Sequence, residues 1–545
     1  MKERADICSN RFFVRFKRAL DDENNIGGIS MRVTNKIIQN NSVTNINNNK
    51  VLEDTLNTQL ATGKKITRPS DDPVVAIRSL RLRTSLTEIN QYYKKNVPDA
   101  DNWLKITENA VSTTIDLITN MYSDCTSGSE GFKTADDRSA VLGDLKGLRD
   151  EIFSSGNSEY AGRYVFTGYR TGVPLTFDGV TSEKYTITEQ LDKNSLQDIT
   201  YIDTDKLGDV TASNASTIGI SEPDITSNTV HRMRISYSGC DNTAPTIQYY
   251  DASGTQVSLT ATVISVSDTT QDPYLSQTPA SGSGVTFIPE TGELILSDDV
   301  YAALQGVKDN EATAANEGEI RVTYNKTNFD KNDLRPEHYF YCEVPAANAA
   351  GKIVYNEGFF SGKTDDLTKQ AITYDVGFGQ EIQVNTNASE VYTHDIKRDL
   401  EEMIACVEDV IKMEDTVKTL ESQIAATTDE TVKKQLQSVL DAANKAKTYL
   451  EDKMQKSFEA GISKTQGYLD RANTAMTTIG NRSARVELVG NRLSSQQSSF
   501  EELTSDNDDV DITETAVKLS SVEMTYEAAL MATGKITQTT LLNYI

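Results

Sequence analysis

The densest group of potential ligands in the chain lies between Asp506 and Asp511, where Asp506, Asp508, Asp509 and Asp511 crowd around Asn507. Carboxylates packed like this could hold a divalent cation, but a calcium loop also needs a central glycine for its sharp turn and a terminal bidentate glutamate, and both are missing. The cluster is expected to be a solvated joint between two helices. A second pair, Asp71-Asp72, has the residue type for acid/base work. It follows Ser70, which reads as a helix N-cap, and negative charge is favourable in the first turn of a helix in any case. His231, His338 and His394 are scattered, as are Cys8, Cys125, Cys240, Cys342 and Cys406. With no Cys-x-x-Cys and no Cys/His metal spacing, the thiols are expected to be structural. No nucleophile elbow, phosphate loop or dinucleotide fingerprint occurs. The expectation is therefore no enzyme, and no catalytic, cofactor-binding or metal-binding residue.

What the residues do show is helical seams that ask for partners. Leu469, Ala472, Met476, Ile479, Ser483, Val486, Gly490, Leu493, Gln497 and Phe500 recur at three and four, the a/d spacing of a coiled coil. After the acidic joint comes a second seam, with Ile512, Leu519, Val522, Tyr526, Ala529 and Ile536. Burying such side chains is worth about 1.5–3 kcal/mol each. A stripe running this close to the chain end is expected to be an assembly surface.

The balance of 54 basic against 80 acidic residues, a formal charge of -26, argues against nucleic acid or an anionic membrane as partner. No apolar run reaches the roughly eighteen residues that cross a bilayer, so no membrane partner is expected. The charge leaves open a protein partner, including another copy of the chain.

Taken in order, residues 1–30 differ in pattern from the rest of the chain and are expected to be a non-native or disordered extension, with Met31 as the natural start. Val33 to Leu60 reads as a weak helix, thinned by the run Asn45 to Asn49. Gly63 is the expected C-cap, and Pro73 opens the next helix. Pro98 is expected to kink or stop that helix. Next come a heptad run with Trp103, Ile106, Ala110, Thr113, Leu117 and Met121, a shorter helix capped by Thr134, and a strand or hairpin over Arg163 to Tyr169. From 172 to 392 the chain turns rich in Thr, Ser, Gly and Asp, and short β-branched runs alternate with turn signals, the pattern of an all-β insertion. Beyond it, two heptad helices around Thr427-Thr428-Asp429-Glu430, read as a capping box, form an antiparallel hairpin. The fold class is mixed: a discontinuous α-helical coiled-coil bundle built from both chain ends, with an inserted all-β domain.

Several stretches carry a resemblance: Met31-Arg-Val-Thr-Asn-Lys36, Gly63-Lys-Lys-Ile-Thr-Arg-Pro-Ser-Asp-Asp-Pro73, Asn102-Trp-Leu104 with Thr107-Glu108, Gly162-Arg-Tyr-Val-Phe-Thr-Gly168, Ile382-Gln-Val-Asn385 and Leu541-Leu-Asn-Tyr-Ile545. Together they resemble the hook-associated protein 3 family, flagellin-like proteins of the junction between hook and filament in bacterial flagella. The resemblance implies four parts: the extension 1–30; a terminal coiled coil, 31–62 with 512–545, lining the central channel; a helical bundle, 63–171 with 393–511; and an outward β insertion, 172–392.

It further implies a secreted structural protein of motility, exported unfolded through the flagellar type III apparatus to an extracellular position. Its partners would be itself in a ring, hook-associated protein 1, flagellin and an export chaperone. The inner coil of self-assembly would use Ile512, Leu519, Val522, Tyr526, Ala529, Leu530 and Ile536; a subunit-contacting loop would use Arg68, Pro69, Ser70, Asp71, Asp72 and Pro73; and the bundle core would use Trp103, Leu469, Met476, Ile479, Val486, Leu493 and Phe500. Two alternatives stand beside this one, a flagellin forming the filament itself and a secreted β-domain binding protein on a helical stalk. N-terminal sequencing of the exported protein is expected to begin no earlier than Met31; a start at Met1 or Lys2 would overturn that boundary.

Overall fold

The computed structural model describes residues 35–538 except 131–133, 205–206, 208–209, 211–213, 215–216, 218, 252, 269–270, 276–283, 308–319, 346–350 and 359–369. The chain divides into two compact units, one holding residues up to Ile89 together with those from Ser495 onward, the other Asn90–Ser494. The first contains α1 (Asn35–Thr62) and α8 (Ile512–Gln538), with most of α2 (Pro73–Gln91) and the end of α7 (Glu430–Asp508).

In the second unit, helix α3 (Val97–Ser129) supplies the organising seam. Val97, Ala100, Leu104, Thr107, Val111, Thr114, Ile118, Met121, Cys125 and Gly128 are all buried and alternate at three and four, with Trp103 fully covered beside them. Small residues set how close its neighbour comes. A Cβ on Gly128 would sit 2.5 Å from the Phe458 ring, and one on Gly461 2.9 Å from Cys125 Sγ. Pro98 does not stop the helical path. The preceding residues Tyr92–Asn96 open into a π turn, with the Val97 N–H donating to the Tyr92 carbonyl, and Pro98 falls at the start of α3. The widened turn accommodates a ring that would collide with a carbonyl in regular α geometry.

Helices α4 (Ala135–Glu151), α6 (His394–Ala426) and α7 complete the bundle. Thr134 caps α4 by accepting the Asp137 N–H at 3.2 Å. At the α6–α7 turn it is Asp429 that caps, accepting from Thr431 N–H at 2.8 Å, while the Thr427 hydroxyl donates back to Gln423 O at 2.7 Å. The capping box read around Thr427 is thus a single aspartate cap.

The insertion is a pair of sheets. Strands β13 (Lys352–Tyr355), β12 (Tyr341–Pro345), β3 (Tyr185–Leu191), β11 (Ile320–Lys326), β6 (Thr246–Tyr250) and β7 (Gln256–Thr260) form a six-stranded antiparallel sheet in that order. Strands β4 (Leu196–Ile202), β5 (Ser227–Arg234), β10 (Glu293–Leu296), β9 (Val285–Ile288) and β8 (Thr262–Val263) form the other, antiparallel but for β8 beside β9. The strand β11 alternates buried and half-buried residues along its length, and its inward side chains join Ile187, Met233, Phe287, Leu294 and Phe329 in one apolar core. The expected mixed architecture is the one observed. It also holds the short helix α5 (Asp298–Gln305), which the period-two reading passed over.

The family-like motifs explain themselves locally. Strands β1 (Glu159–Tyr160) and β2 (Arg163–Tyr164) form a hairpin whose turn needs left-handed backbone at Ala161 and Gly162, φ 51° and 75°. Gly168, φ 57°, lies so close to Gln370 that a Cβ would overlap its Oε1 at 2.2 Å. Strands β14 (Thr373–Gly377) and β15 (Gln380–Gln383) form a second hairpin, after which the fully buried Asn385 receives the Ile372 N–H at 2.7 Å and donates to Gln370 O at 2.8 Å. The β5 arginines reach helix α6: Arg234 pairs with Asp399 at 2.5 Å and Glu402 at 3.0 Å, and Arg232 with Glu402 at 3.0 Å and Glu293 at 2.6 Å. Buried ion pairs are orienting devices more than sources of stability.

One buried acid in the core, Glu189, has no such cation among the described residues. Burial raises the Glu189 carboxyl to about 7, against hydrogen bonds from the Tyr324 hydroxyl and from the N–H and hydroxyl of Ser236 that favour its ionised form. A carboxyl raised in the fold contributes most below its unfolded value of about 4.5 and loses that contribution as pH climbs through about 7. Glu189→Gln is therefore expected to raise the thermal midpoint by roughly 2–4 °C at pH 8, with the gain vanishing near pH 5. A calorimetric gain independent of pH would refute this account.

Candidate assembly surface

In the first unit, helices α1 and α8 pack along each other. Gly63 ends α1 with φ 68°, its N–H donating to Gln59 O at 2.8 Å, as a C-cap requires. The two connections then meet as a short antiparallel bridge: Lys65 N–H donates to Asp508 O at 2.8 Å, and Val510 N–H to Gly63 O at 3.0 Å. Since α1 runs into this bridge and α8 runs out of it, the pair is antiparallel.

The acidic stretch is the joint between α7 and α8 and leaves Asp506 and Asp511 exposed, but it is not wholly solvated, since Asn507 and Asp508 are buried and Asp508 and Asp509 are paired with cations. Asp508, only 3% exposed, accepts from Arg83 at 2.6 Å and from the Ser79 hydroxyl at 2.8 Å. Burial works against its ionisation, but hydrogen bonds from Arg83, Asn507 and Ser79 outweigh it, and the net shift is downward. Lys64 pairs with Asp509 and holds that carboxyl below its ordinary range too. Asn507 donates to Val75 O at 3.2 Å, and Asp511 caps α8 by accepting the Glu514 N–H at 3.0 Å. No grouping of side chains suited to a metal ion occurs among the described residues.

The loop before α2 is built with the same economy. Asp71 accepts the Arg68 and Thr67 N–H groups at 2.9 and 3.2 Å, closing the turn. The helix cap is Asp72, which accepts from Val74 and Val75 N–H at 2.9 and 3.1 Å, rather than Ser70. Pro73 then stands first in the helix, where its missing donor costs nothing. Arg68, Pro69, Ser70, Asp71 and Pro73 are exposed, and Asp72 is half-buried.

The α1–α8 seam uses fewer apolar side chains than the sequence offers. Toward α1, α8 turns Thr515, Leu519, Val522, Tyr526, Ala529 and Thr533, and these are buried or half-buried. Ile512 and Leu530 lie outside the seam, 62% and 46% exposed. Ile512 is the first residue of its helix, and its side chain leans back toward the connection; Leu530 stands one position past Ala529, about 100° around the axis. The Ile536 side chain falls outside the described residues. The α1 side is mixed, its covered residues including Gln39, Ser42, Asn49 and Glu53 together with Ile38, Ile46, Leu56 and Leu60.

A second stripe is left uncovered. Val517, Met524 and Met531 recur every seven residues at 67%, 66% and 68% exposure, with the exposed Ser521 and Ala528 between them. That is another a/d series, offset from the first. The sequence reading missed it because two of its positions are Ser and Ala, and only their four-and-three spacing marks them. On α1, Ile37, Val43, Val51 and Leu52 are likewise exposed, as are Val74, Ile77 and Leu80 on α2.

The bundle positions belong to the other unit, Phe500 excepted. Trp103, Ile479, Val486 and Leu493 are buried, whereas Leu469 and Met476 are half-buried, as is Phe500 in the first unit. Ala472, Ala475 and Val489 take the covered places instead. Arg163 lies over the Trp103 ring at 4.9 Å and Tyr160 meets its edge at 6.2 Å. Burial lowers His338 and His394 to about 3, so both stay neutral, and it pushes the thiols of Cys125, Cys240, Cys342 and Cys406 up.

Residues 33–171 match the bacterial flagellin N-terminal helical region. Its N-terminal part is thus similar to flagellins, and the chain resembles flagellar hook-associated protein 3. The protein of that name from Salmonella typhimurium is 28% identical over 167 residues, 30% of this chain and 52% of the relative; that of Escherichia coli is 28% identical over 142 residues, 26% of this chain and 44% of the relative. The chain thus spans about half the length of the curated relatives it matches. A solved flagellar junction protein of Legionella pneumophila aligns over 77% of this chain and 100% of its own at 9% identity, with a TM-score of 0.21, too low to carry an argument.

The terminal pair can be tested at its joint. Asp508→Ala removes the acceptor of two helices' donors and is expected to cost about 1–3 kcal/mol of local stability, read as faster hydrogen exchange in α1 and α8. Since Asp508 and Asp509 are lowered in the fold, their contribution is present above the unfolded value of about 4 and is lost as pH falls below it. Unchanged exchange in the variant would show that the joint does not hold the pair.

Proposed function

We propose that this chain is a structural, non-enzymatic component of the bacterial flagellum that joins hook to filament. In this reading it is exported by the flagellar type III apparatus with a chaperone's help. It assembles outside the cell as a ring of its own copies, with hook-associated protein 1 below and flagellin above. The observation that carries the reading is the uncovered heptad stripe Val517, Ser521, Met524, Ala528 and Met531 on a helix whose other seam is already used. Covering Val517, Met524 and Met531 would contribute about 5–9 kcal/mol, enough to hold a neighbour once ordering costs are met. The resemblance to hook-associated protein 3 supports placing that neighbour in the flagellum.

The order of events depends on where stability comes from. With a mixed polar and apolar α1 face in the intrachain seam and a second α8 stripe still exposed, α1 and α8 gain further stability when that second surface is covered, so ordering is completed on assembly. The net charge of -26 keeps unassembled copies apart in the meantime.

The test is immunogold labelling of intact flagella from the source bacterium carrying Val517→Ser with Met524→Ser. The parent chain is expected to label a ring at the base of the filament, and the variant to label it roughly tenfold less and to shed filaments. Label running along the whole filament would favour a flagellin instead. Undiminished label and firm filaments in the variant would overturn the assembly reading.

A further inference from the structure

The exposed stripe carries a chemistry that a leucine stripe would not. Eight methionines lie among the described residues, of which Met121, Met233, Met403, Met413 and Met454 are buried and Met476 is half-buried. Met524 and Met531 alone of these are exposed, at 66% and 68%, and they sit seven residues apart on the one seam of α8 that no other described segment covers. A thioether is an apolar, adaptable packing group, and oxidation turns it into a polar, chiral sulfoxide.

We propose that Met524 and Met531 form a modification site at which a hydroperoxide blocks assembly. The step is balanced: a sulfur lone pair attacks the distal oxygen of the hydroperoxide, the O–O bond breaks, the S=O bond forms, and that oxygen's proton passes to the departing oxygen, which leaves as an alcohol, or as water when the oxidant is hydrogen peroxide. Sulfur is oxidised by two electrons and the peroxide is reduced by two. The consequence rests on the assembly role proposed for this stripe. A sulfoxide oxygen at either position would have to enter a largely apolar contact, where Val517 and Ala528 beside them offer no donor and the one hydroxyl of the stripe, on Ser521, lies about one turn before Met524 and nearly three before Met531. Accessibility sets the timing. The free chain presents both sulfurs to solvent, whereas an assembled neighbour would cover them, so the device acts on subunits still waiting to be placed.

The experiment uses the full chain, hydrogen peroxide, and assembly driven by ammonium sulfate, a salt that strengthens apolar burial, with light scattering and electron microscopy as readouts. Peptide mass mapping is expected to find one oxygen on each of Met524 and Met531 before any on the buried methionines. The treated chain is expected to need a roughly tenfold higher concentration for half-assembly. The Met524→Leu/Met531→Leu variant, treated identically, should assemble like the untreated parent. Material assembled before treatment should oxidise at these two positions roughly tenfold more slowly than free chain.

If the parent oxidised at both positions assembles normally, or if the leucine variant is inhibited equally, the inference is overturned while the assembly reading stands. If neither the untreated parent nor the untreated leucine variant forms ordered assemblies, the assembly reading fails and takes the inference with it.

Discussion

A helix that carries two apolar seams offset around its axis cannot bury both against one antiparallel partner, and α8 is such a helix. Its Leu519, Val522, Tyr526 and Ala529 side is half-covered by α1, and its Val517, Met524 and Met531 side faces solvent. Everything else in the terminal unit is arranged around that shortage of cover. The α1 face opposite mixes Gln39, Ser42, Asn49 and Glu53 with Ile38, Ile46, Leu56 and Leu60, and further apolar side chains on α1 and α2 are exposed as well. Association is the way such a chain lowers its free energy.

What keeps the pair in register is electrostatic rather than apolar. Arg83 and Ser79 of α2 converge on Asp508, Lys64 on Asp509, and the two connections exchange backbone hydrogen bonds. These contacts are specific in direction where coil packing is permissive, since a heptad seam slides by seven residues at modest cost and a buried carboxylate does not. The acid-rich joint that invites a metal-site reading is thus a clamp whose cations come from elsewhere in the chain.

The second unit shows the opposite regime. Its α3 seam is complete, its glycines at 128 and 461 let helices approach closely, and the β5 arginines bind the sheet to α6 through buried ion pairs. Such a unit has the core to be stable alone, as most domains of its size do. The chain thus joins a finished unit to an unfinished one.

Periodicity by itself determined the helices, the β insertion and the existence of an apolar terminal stripe, because side-chain direction in regular structure is set by spacing alone. Gly63 as a cap and Pro73 at a helix start were equally legible, since each is dictated by backbone geometry. Which of two offset seams is covered was not. Val517, Ser521, Met524, Ala528 and Met531 are hidden by their small members, and only the placement of α1 against α8 decides that they face outward. The same holds for the joint and for Pro98: the partners of Asp508 lie hundreds of residues away in the chain, and a π turn is a response to packing that no local pattern specifies.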